Sequence, residues 1–321
     1  MSEVFYRKYR PQKFEEVAGQ ANVLKILKNA VEQNKMAHAY LFSGPRGTGK
    51  TTMARILSRE AGCAPEDTIE IDAASQRGID DARALREGVR VLPFRSPKKS
   101  YIIDEVHMLT REAFNALLKT LEEPPEHALF ILCTTELEKV PETIVSRTQH
   151  CRFSKISMPD IISELKKISK KENLEVEDGA FQLIAFFAEG SLRDAQNILF
   201  QATSFGKKIK ESDLRIFLGA PSGELVNSIK LSLLAKNPKA TIESLSEALK
   251  SGVDPTILSR FILHDIRETY FSKLANISKS DASFFDFSIR ELLWAMEQHT
   301  DDHTSHIPLE LALVKIATQT S

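Results

Sequence analysis

Apolar positions in the first half of the chain fall into short runs separated by amphipathic stretches. Tyr40 to Phe42, the alternating segment Thr68–Asp72, Tyr101 to Ile103 and the run ALFILCTT predict strands. Between them, Val23, Leu24, Leu27 and Val31 recur at helical spacing, Met53 to Leu57 open a second helical stretch, and residues 79–90 form a third. Phe114, Leu117, Leu118 and Leu121 share one face of REAFNALLKTLEE, which Pro124 and Pro125 end abruptly. Strands that alternate with helices predict an α/β domain whose mostly parallel sheet is covered on both faces, closing around residues 151–157.

From Met158 onward only helical periods remain. Helices are expected at 159–171, 178–188, 191–204, 211–217, 223–235, 239–250, 255–274, 286–299 and 306–319. Gly219-Ala220-Pro221-Ser222-Gly223 reads as a linker. The expected division is therefore 1–157, 158–220 and 221–321, with Leu293, Trp294 and Met296 in the core of the last part.

Composition narrows the class without choosing a function. The 321 residues are 42% hydrophobic and 27% charged, ordinary for a globular chain. No apolar run approaches the ~20 residues that span a bilayer, and the first residues lack a signal-peptide core, so a cytoplasmic protein with no membrane partner is expected. Cys63, Cys133 and Cys151 are far apart, which suggests neither a disulfide framework nor a zinc knuckle. His299, His303 and His306 lack carboxylate or cysteine support for a metal. With a net charge of −1, any nucleic-acid contact must come from a local patch. Arg83, Arg86 and Arg90 fall within about 60° on a helical wheel, joined by Arg77 before them; they form either a solvated face or a phosphate track. The basic arm around Tyr9 is either solvated or folded across a bound base, with Tyr9, Pro11 and Val17 as an apolar wall.

Candidate chemistry centres on YLFSGPRGTGKTT, residues 40–52, which contains the pattern G-x-x-x-x-G-K-T. Gly44, Pro45, Arg46, Gly47, Thr48, Gly49, Lys50, Thr51 and Thr52 would wrap a polyphosphate with backbone N–H groups and a helix N-terminus. Lys50 would neutralise the outer phosphates, and the Thr51 hydroxyl would complete a Mg²⁺ shell. Asp104-Glu105 ends a buried strand, where one carboxylate can hold Mg²⁺ and its neighbour can polarise the attacking water. Thr134 and Thr135 stand at another strand end, where ligands of open α/β sheets bind. Ser191 reads as an N-cap with Asp194 at the capping-box position, so Arg193 sits where the helix dipole disfavours a cation unless an anion faces it. Nothing local explains Arg147.

YRKYRPQKFEEVAGQ, the phosphate loop, EIDAAS, YIIDEVHML, FNALLKTLEEPPEH, the TT strand, IVSRT and EGSLRDA run in order from residue 6 to about 195. Together they resemble the gamma/tau subunits of the bacterial DNA polymerase III clamp loader. That resemblance implies an AAA+ P-loop ATPase domain, a small helical lid and an all-α collar that holds a ring of five subunits together. It implies an ATP-hydrolysing motor that opens a sliding clamp and places it on primed DNA, with the other loader subunits, the clamp and primer–template DNA as partners. The alternatives are a non-hydrolysing structural subunit of the same ring and another AAA+ DNA motor. The resemblance assigns Lys50 and Thr51 to phosphate and Mg²⁺, Asp104 to Mg²⁺, Glu105 to the attacking water, Thr135 and Arg193 to sensing, and Arg147 to a finger that reaches the neighbouring subunit's site. Tyr9, Arg10, Pro11 and Val17 would line the adenine side, and Arg77, Arg111 and Lys119 would face DNA. The cysteine-rich module usual in the family is missing around Cys63, so no zinc is expected, and the chain is expected to stop short of the extension found in the tau form.

Overall fold

The computed structural model describes residues 3–75, 87–274, 278–298 and 304–319. Arg77, Arg83, Arg86, His299 and His303 lie outside them, as does most of the expected helix 79–90, of which residues 87–90 are helical. Two compact units are present, Met1–Lys210 and Glu211–Ser321.

In the first unit five strands form one sheet: β1 (Ala39–Ser43), β2 (Thr68–Asp72), β3 (Lys99–Asp104), β4 (Ala128–Thr134) and β5 (Gln149–Arg152). They lie in the order β2-β3-β4-β1-β5, and every pairing is parallel. The alternation of side chains along each strand divides the core in two. Tyr40, Phe42, Ile102 and Ile131 pack with Val23, Leu27, Met53 and Leu57 from helices Ala21–Glu32 and Lys50–Glu60. Leu41, Tyr101, Ile103 and Leu132 face the other way, against Phe114, Leu117 and Leu121 of helix Arg111–Glu122 and Ile144 of helix Glu142–Val145. With β1 and β4 buried along their whole length, their near-continuous apolar sequence has its cause. Thr110 caps helix Arg111–Glu122 by accepting the Ala113 N–H.

The same unit continues through helices Met158–Lys171, Asp178–Phe187 and Leu192–Ala202. Ser191 caps the last of these, accepting the Asp194 N–H at 3.2 Å as its sequence position predicts. The purely helical reading of this region missed a small parallel ladder, Glu175–Val176 with Lys208–Ile209, whose two-residue strands are too short to leave a periodic signal.

The second unit contains helices Glu211–Leu218, Gly223–Leu234, Pro238–Lys250, Pro255–Lys273, Lys279–Glu297 and Ile307–Ala317. Ile229, Leu233, Leu258, Ile262, Phe285, Leu292 and Leu313 form its core. Helix Lys279–Glu297 starts earlier than its apolar pattern suggests because Ser278 caps it through the Asp281 N–H. Trp294 is not in the core. It is 37% exposed beneath Lys315 Nζ, 4.7 Å from the ring centroid, and Leu293 is 45% exposed. The buried stripe is Phe285, Ser288, Leu292 and Ala295, and Trp294 falls roughly 200° from Leu292 at 100° per residue.

Candidate nucleotide-binding site

β1 delivers the chain into a loop that passes close to its neighbours. Gly44 has φ +141°, and a Cβ there would lie 2.3 Å from the Phe153 carbonyl oxygen. Gly47 has φ +71°, and a Cβ would lie 1.9 Å from Ser191 Oγ. Only glycine fits either position. The loop then enters helix Lys50–Glu60, whose first turn has neither a side-chain cap nor an acidic residue. Those N–H groups and the positive end of the dipole are therefore available to an anion.

Lys50 is buried, and its Nζ donates to the carbonyls of Gly44 at 2.8 Å and Pro45 at 2.9 Å. Burial pushes its pKa down, opposed by the nearby carboxylates of Glu105 and Asp104. Thr48 Oγ1 donates to the Pro45 carbonyl at 2.8 Å and braces the loop. Thr51 Oγ1 donates to Asp104 Oδ2 at 2.7 Å, which joins the loop's hydroxyl to the end of β3.

Glu105 leaves the strand in a left-handed conformation, φ 48° and ψ 45°. A non-glycine residue held there stores of order 1–3 kcal/mol of strain. Its N–H donates to Asp104 Oδ1 at 3.0 Å. Its Oε2 accepts from the Thr135 N–H at 3.3 Å and the Thr135 hydroxyl at 3.0 Å. Thr135 thus meets Glu105, directly beyond the C-terminal end of β4.

A cavity of about 170 Å³ opens beside these groups. Arg46, Gly47, Thr48, Gly49, Lys50, Thr51 and Thr52 line it from the loop, with Asp104 and Glu105 beyond. Arg10, Pro11 and Val17 form part of one wall, and Arg193 reaches it from the start of helix Leu192–Ala202. The loop and that helix are joined directly, because the Leu192 N–H donates to the Gly47 carbonyl at 3.1 Å. Gly44 and Pro45 contribute their carbonyls to Lys50 and line a second hollow together with Thr135.

Tyr9 requires a correction, since Tyr6 is the tyrosine that lines the cavity. The Tyr9 hydroxyl donates to Glu172 Oε1 at 2.5 Å, and its ring packs edge-on against Phe5. Phe5 is buried against Phe200, so the residue four positions later turns the same way and Tyr6 turns toward the cavity. There the Arg193 guanidinium carbon lies 4.9 Å from the centroid of the Tyr6 ring.

Arg147 lies elsewhere. It follows helix Glu142–Val145; its Nη2 pairs with Glu122 Oε1 at 2.7 Å, and its Nη1 donates to the Thr143 carbonyl at 3.0 Å. Arg111 and Lys119 lie with Asn115 on the exposed face of their helix. Among the described residues no group of His, Cys, Asp and Glu could hold a metal by itself. Cys63 is buried beside the Ser58 and Ser100 hydroxyls, and burial raises its thiol pKa.

Comparison with known proteins agrees with this architecture. The profile of a family described as "DNA polymerase III, delta subunit" matches residues 19–78 and 65–157, and the profile "DNA polymerase III clamp loader subunit, ATPase lid domain" matches residues 160–208. DNA polymerase III subunit tau of Bacillus subtilis is 44% identical over 295 residues, covering 85% of this chain and 52% of the relative. DNA polymerase III subunit gamma of Buchnera aphidicola subsp. Schizaphis graminum is 37% identical over 274 residues, covering 78% of this chain and 76% of the relative. The chain belongs to the DNA polymerase III gamma/tau subunit family. It spans about half the length of the first relatives it matches. The Thermotoga maritima RuvB Holliday junction branch migration motor matches with a TM-score of 0.56 at 20% identity, over 69% of this chain and 78% of that one, a likeness of fold.

Sequence reading missed two residues at this site. Tyr6 could have been found by asking which face of Phe5–Lys8 is anchored. His107 contacts Glu105 Oε2 at 3.4 Å within its own segment and Glu136 Oε1 at 3.1 Å across to the segment that follows β4, and no linear pattern exposes the second meeting.

Proposed function

We propose that this chain is the ATP-hydrolysing motor subunit of a DNA polymerase III clamp loader, which opens the sliding clamp and places it on primed DNA. The observation that carries the proposal is the convergence of Lys50, Thr51, Asp104 and Glu105 at the C-terminal edge of a parallel sheet. A subunit with a purely structural role has no need of that set. An uncapped helix turn, a buried ammonium and a hydroxyl–carboxylate pair suit a triphosphate carried with a hard divalent cation. Thr51 and Asp104 would hold Mg²⁺, which would supply positive charge to neutralise the phosphates. Lys50 would exchange its two loop carbonyls for phosphate oxygens. Glu105, steadied by Thr135, would orient and polarise the attacking water. Arg193 would answer the charge of the phosphates from the lid, and Arg10, Pro11 and Val17 would bound the base.

The chain would comprise an AAA+ domain at 1–157, a lid at 158–220 and a collar at 221–321 that would join it to the other subunits of a hetero-pentameric ring. Arg147 would act on the neighbouring subunit's nucleotide. Arg77, Arg111 and Lys119 would meet primer–template DNA, in the cytoplasm and without zinc.

ATP turnover of the chain alone, and of the chain assembled with partner subunits, clamp and primed DNA, tests the proposal. Weak activity alone and strong stimulation in the assembly are expected, both abolished by Lys50→Ala. Equal turnover in wild type and Lys50→Ala would overturn it.

A further inference from the structure

Beside the proposed water-activating carboxylate stands a buried imidazole whose Nδ1 is hydrogen-bonded to the Thr134 hydroxyl. The His107 side chain is 5% exposed. Its Nδ1 lies 3.0 Å from Thr134 Oγ1 and 3.4 Å from Glu105 Oε2, and its Nε2 lies 3.1 Å from Glu136 Oε1. Glu105 is poorly placed to hold itself. It has already left β3, in a left-handed conformation, so strand pairing does not aim its flexible side chain. What surrounds Oε2 is the Thr135 N–H, the Thr135 hydroxyl and the His107 ring.

The ring is itself held from behind. Glu136 meets Nε2, and the Glu136 N–H donates to Thr134 Oγ1 at 3.0 Å, which closes a loop of contacts through the end of β4.

We propose that His107 is a positioning residue for Glu105. The Nδ1–H, shared with Thr134 Oγ1, and the N–H and hydroxyl of Thr135 together fix the carboxylate, while Glu136 stands against the opposite edge of the ring. The inference rests on the ATPase reading above, because only there does the aim of Glu105 affect a rate. Misplacing a reacting group by about 1 Å costs on the order of 10²-fold.

The test uses the assembled loader with clamp and primed DNA, comparing wild type with His107→Ala, His107→Asn and His107→Gln, and with Lys50→Ala as the inactive reference. An asparagine carries its polar atoms near the Nδ1 position, and a glutamine near Nε2. His107→Ala and His107→Gln should lose about 10²-fold in kcat, whereas His107→Asn should stay within about tenfold of wild type. KM for ATP and the affinity for a fluorescent ATP analogue should remain within about twofold of wild type in all three, since an effect confined to the reacting step leaves ground-state binding alone. Equal losses in the asparagine and glutamine variants, or a parallel fall in nucleotide affinity, would reduce His107 to a packing residue and overturn the inference. Wild-type turnover in His107→Ala beside an inactive Lys50→Ala would overturn this inference alone. Turnover that ignores Lys50→Ala would remove the ATPase reading and this one with it.

Discussion

Arg147 and Glu122 form an ion pair at 2.7 Å, with both side chains partly open to solvent. Such pairs contribute roughly 0–1 kcal/mol, so a phosphate on a neighbouring subunit could draw the arginine away at little cost. Glu122→Gln should therefore change the free energy of unfolding by less than about 1 kcal/mol. Turnover of the assembled loader should be unchanged or higher. Denaturant unfolding and steady-state ATPase assays check both, and a large loss of either would mean that the pair holds the fold rather than parking the arginine.

The hydroxyl–carboxylate contact between Thr51 and Asp104 predicts a metal-specific defect. Asp104→Asn should raise the Mg²⁺ concentration needed for half-maximal turnover by at least about 10- to 100-fold, the range seen even when outer-shell partners are lost. Binding of a fluorescent ATP analogue without Mg²⁺ should be unaffected. A Mg²⁺ titration of the wild type and Asp104→Asn is decisive.

Gly47 connects the loop to the lid helix. Gly47→Ala would place a methyl group 1.9 Å from Ser191 Oγ at a φ of +71°, a conformation that costs an L-residue about 1–2 kcal/mol before any clash. Nucleotide affinity should fall sharply while the helical content by circular dichroism is retained. Wild-type affinity would show that the loop and the lid helix can separate freely.

Asp67 accepts from the N–H groups of Phe94, Arg95 and Ser96 and from the Ser96 hydroxyl, and so anchors the loop that leads into β3. The Ser96 hydroxyl first, and then those backbone N–H groups, hold its pKa well below the usual carboxylate range despite burial. Because the folded pKa is depressed, the stabilisation is present above the unfolded value of about 4 and fades as pH falls through the folded one. Asp67→Asn should lower the Tm at pH 7, and its deficit should shrink on acidification below pH ~4. A deficit independent of pH would refute the ionised role.

The sheet was legible in the sequence because β1 and β4 are buried on both sides and leave unbroken apolar runs. The phosphate loop, the Ser191 cap and the helix faces were legible because each is a local pattern. What failed needed tertiary information. Tyr6 rather than Tyr9 meets the cavity because Phe5 is anchored on a helix nearly two hundred residues away. Trp294 reads as core by chemistry, yet its helix is phased by Phe285 and Leu292. The left-handed turn at Glu105 and the His107 clasp arise where β3 and β4 end side by side, and residue spacing carries no trace of them.

The most direct test of the central claim, that each reaction centre draws on two chains, is steady-state ATP hydrolysis by a loader assembled with Arg147→Ala, with nucleotide affinity measured alongside. The account predicts wild-type affinity and a fall in turnover of about 10³-fold or more, the scale on which such arginines act. Undiminished turnover in that assembly would contradict it.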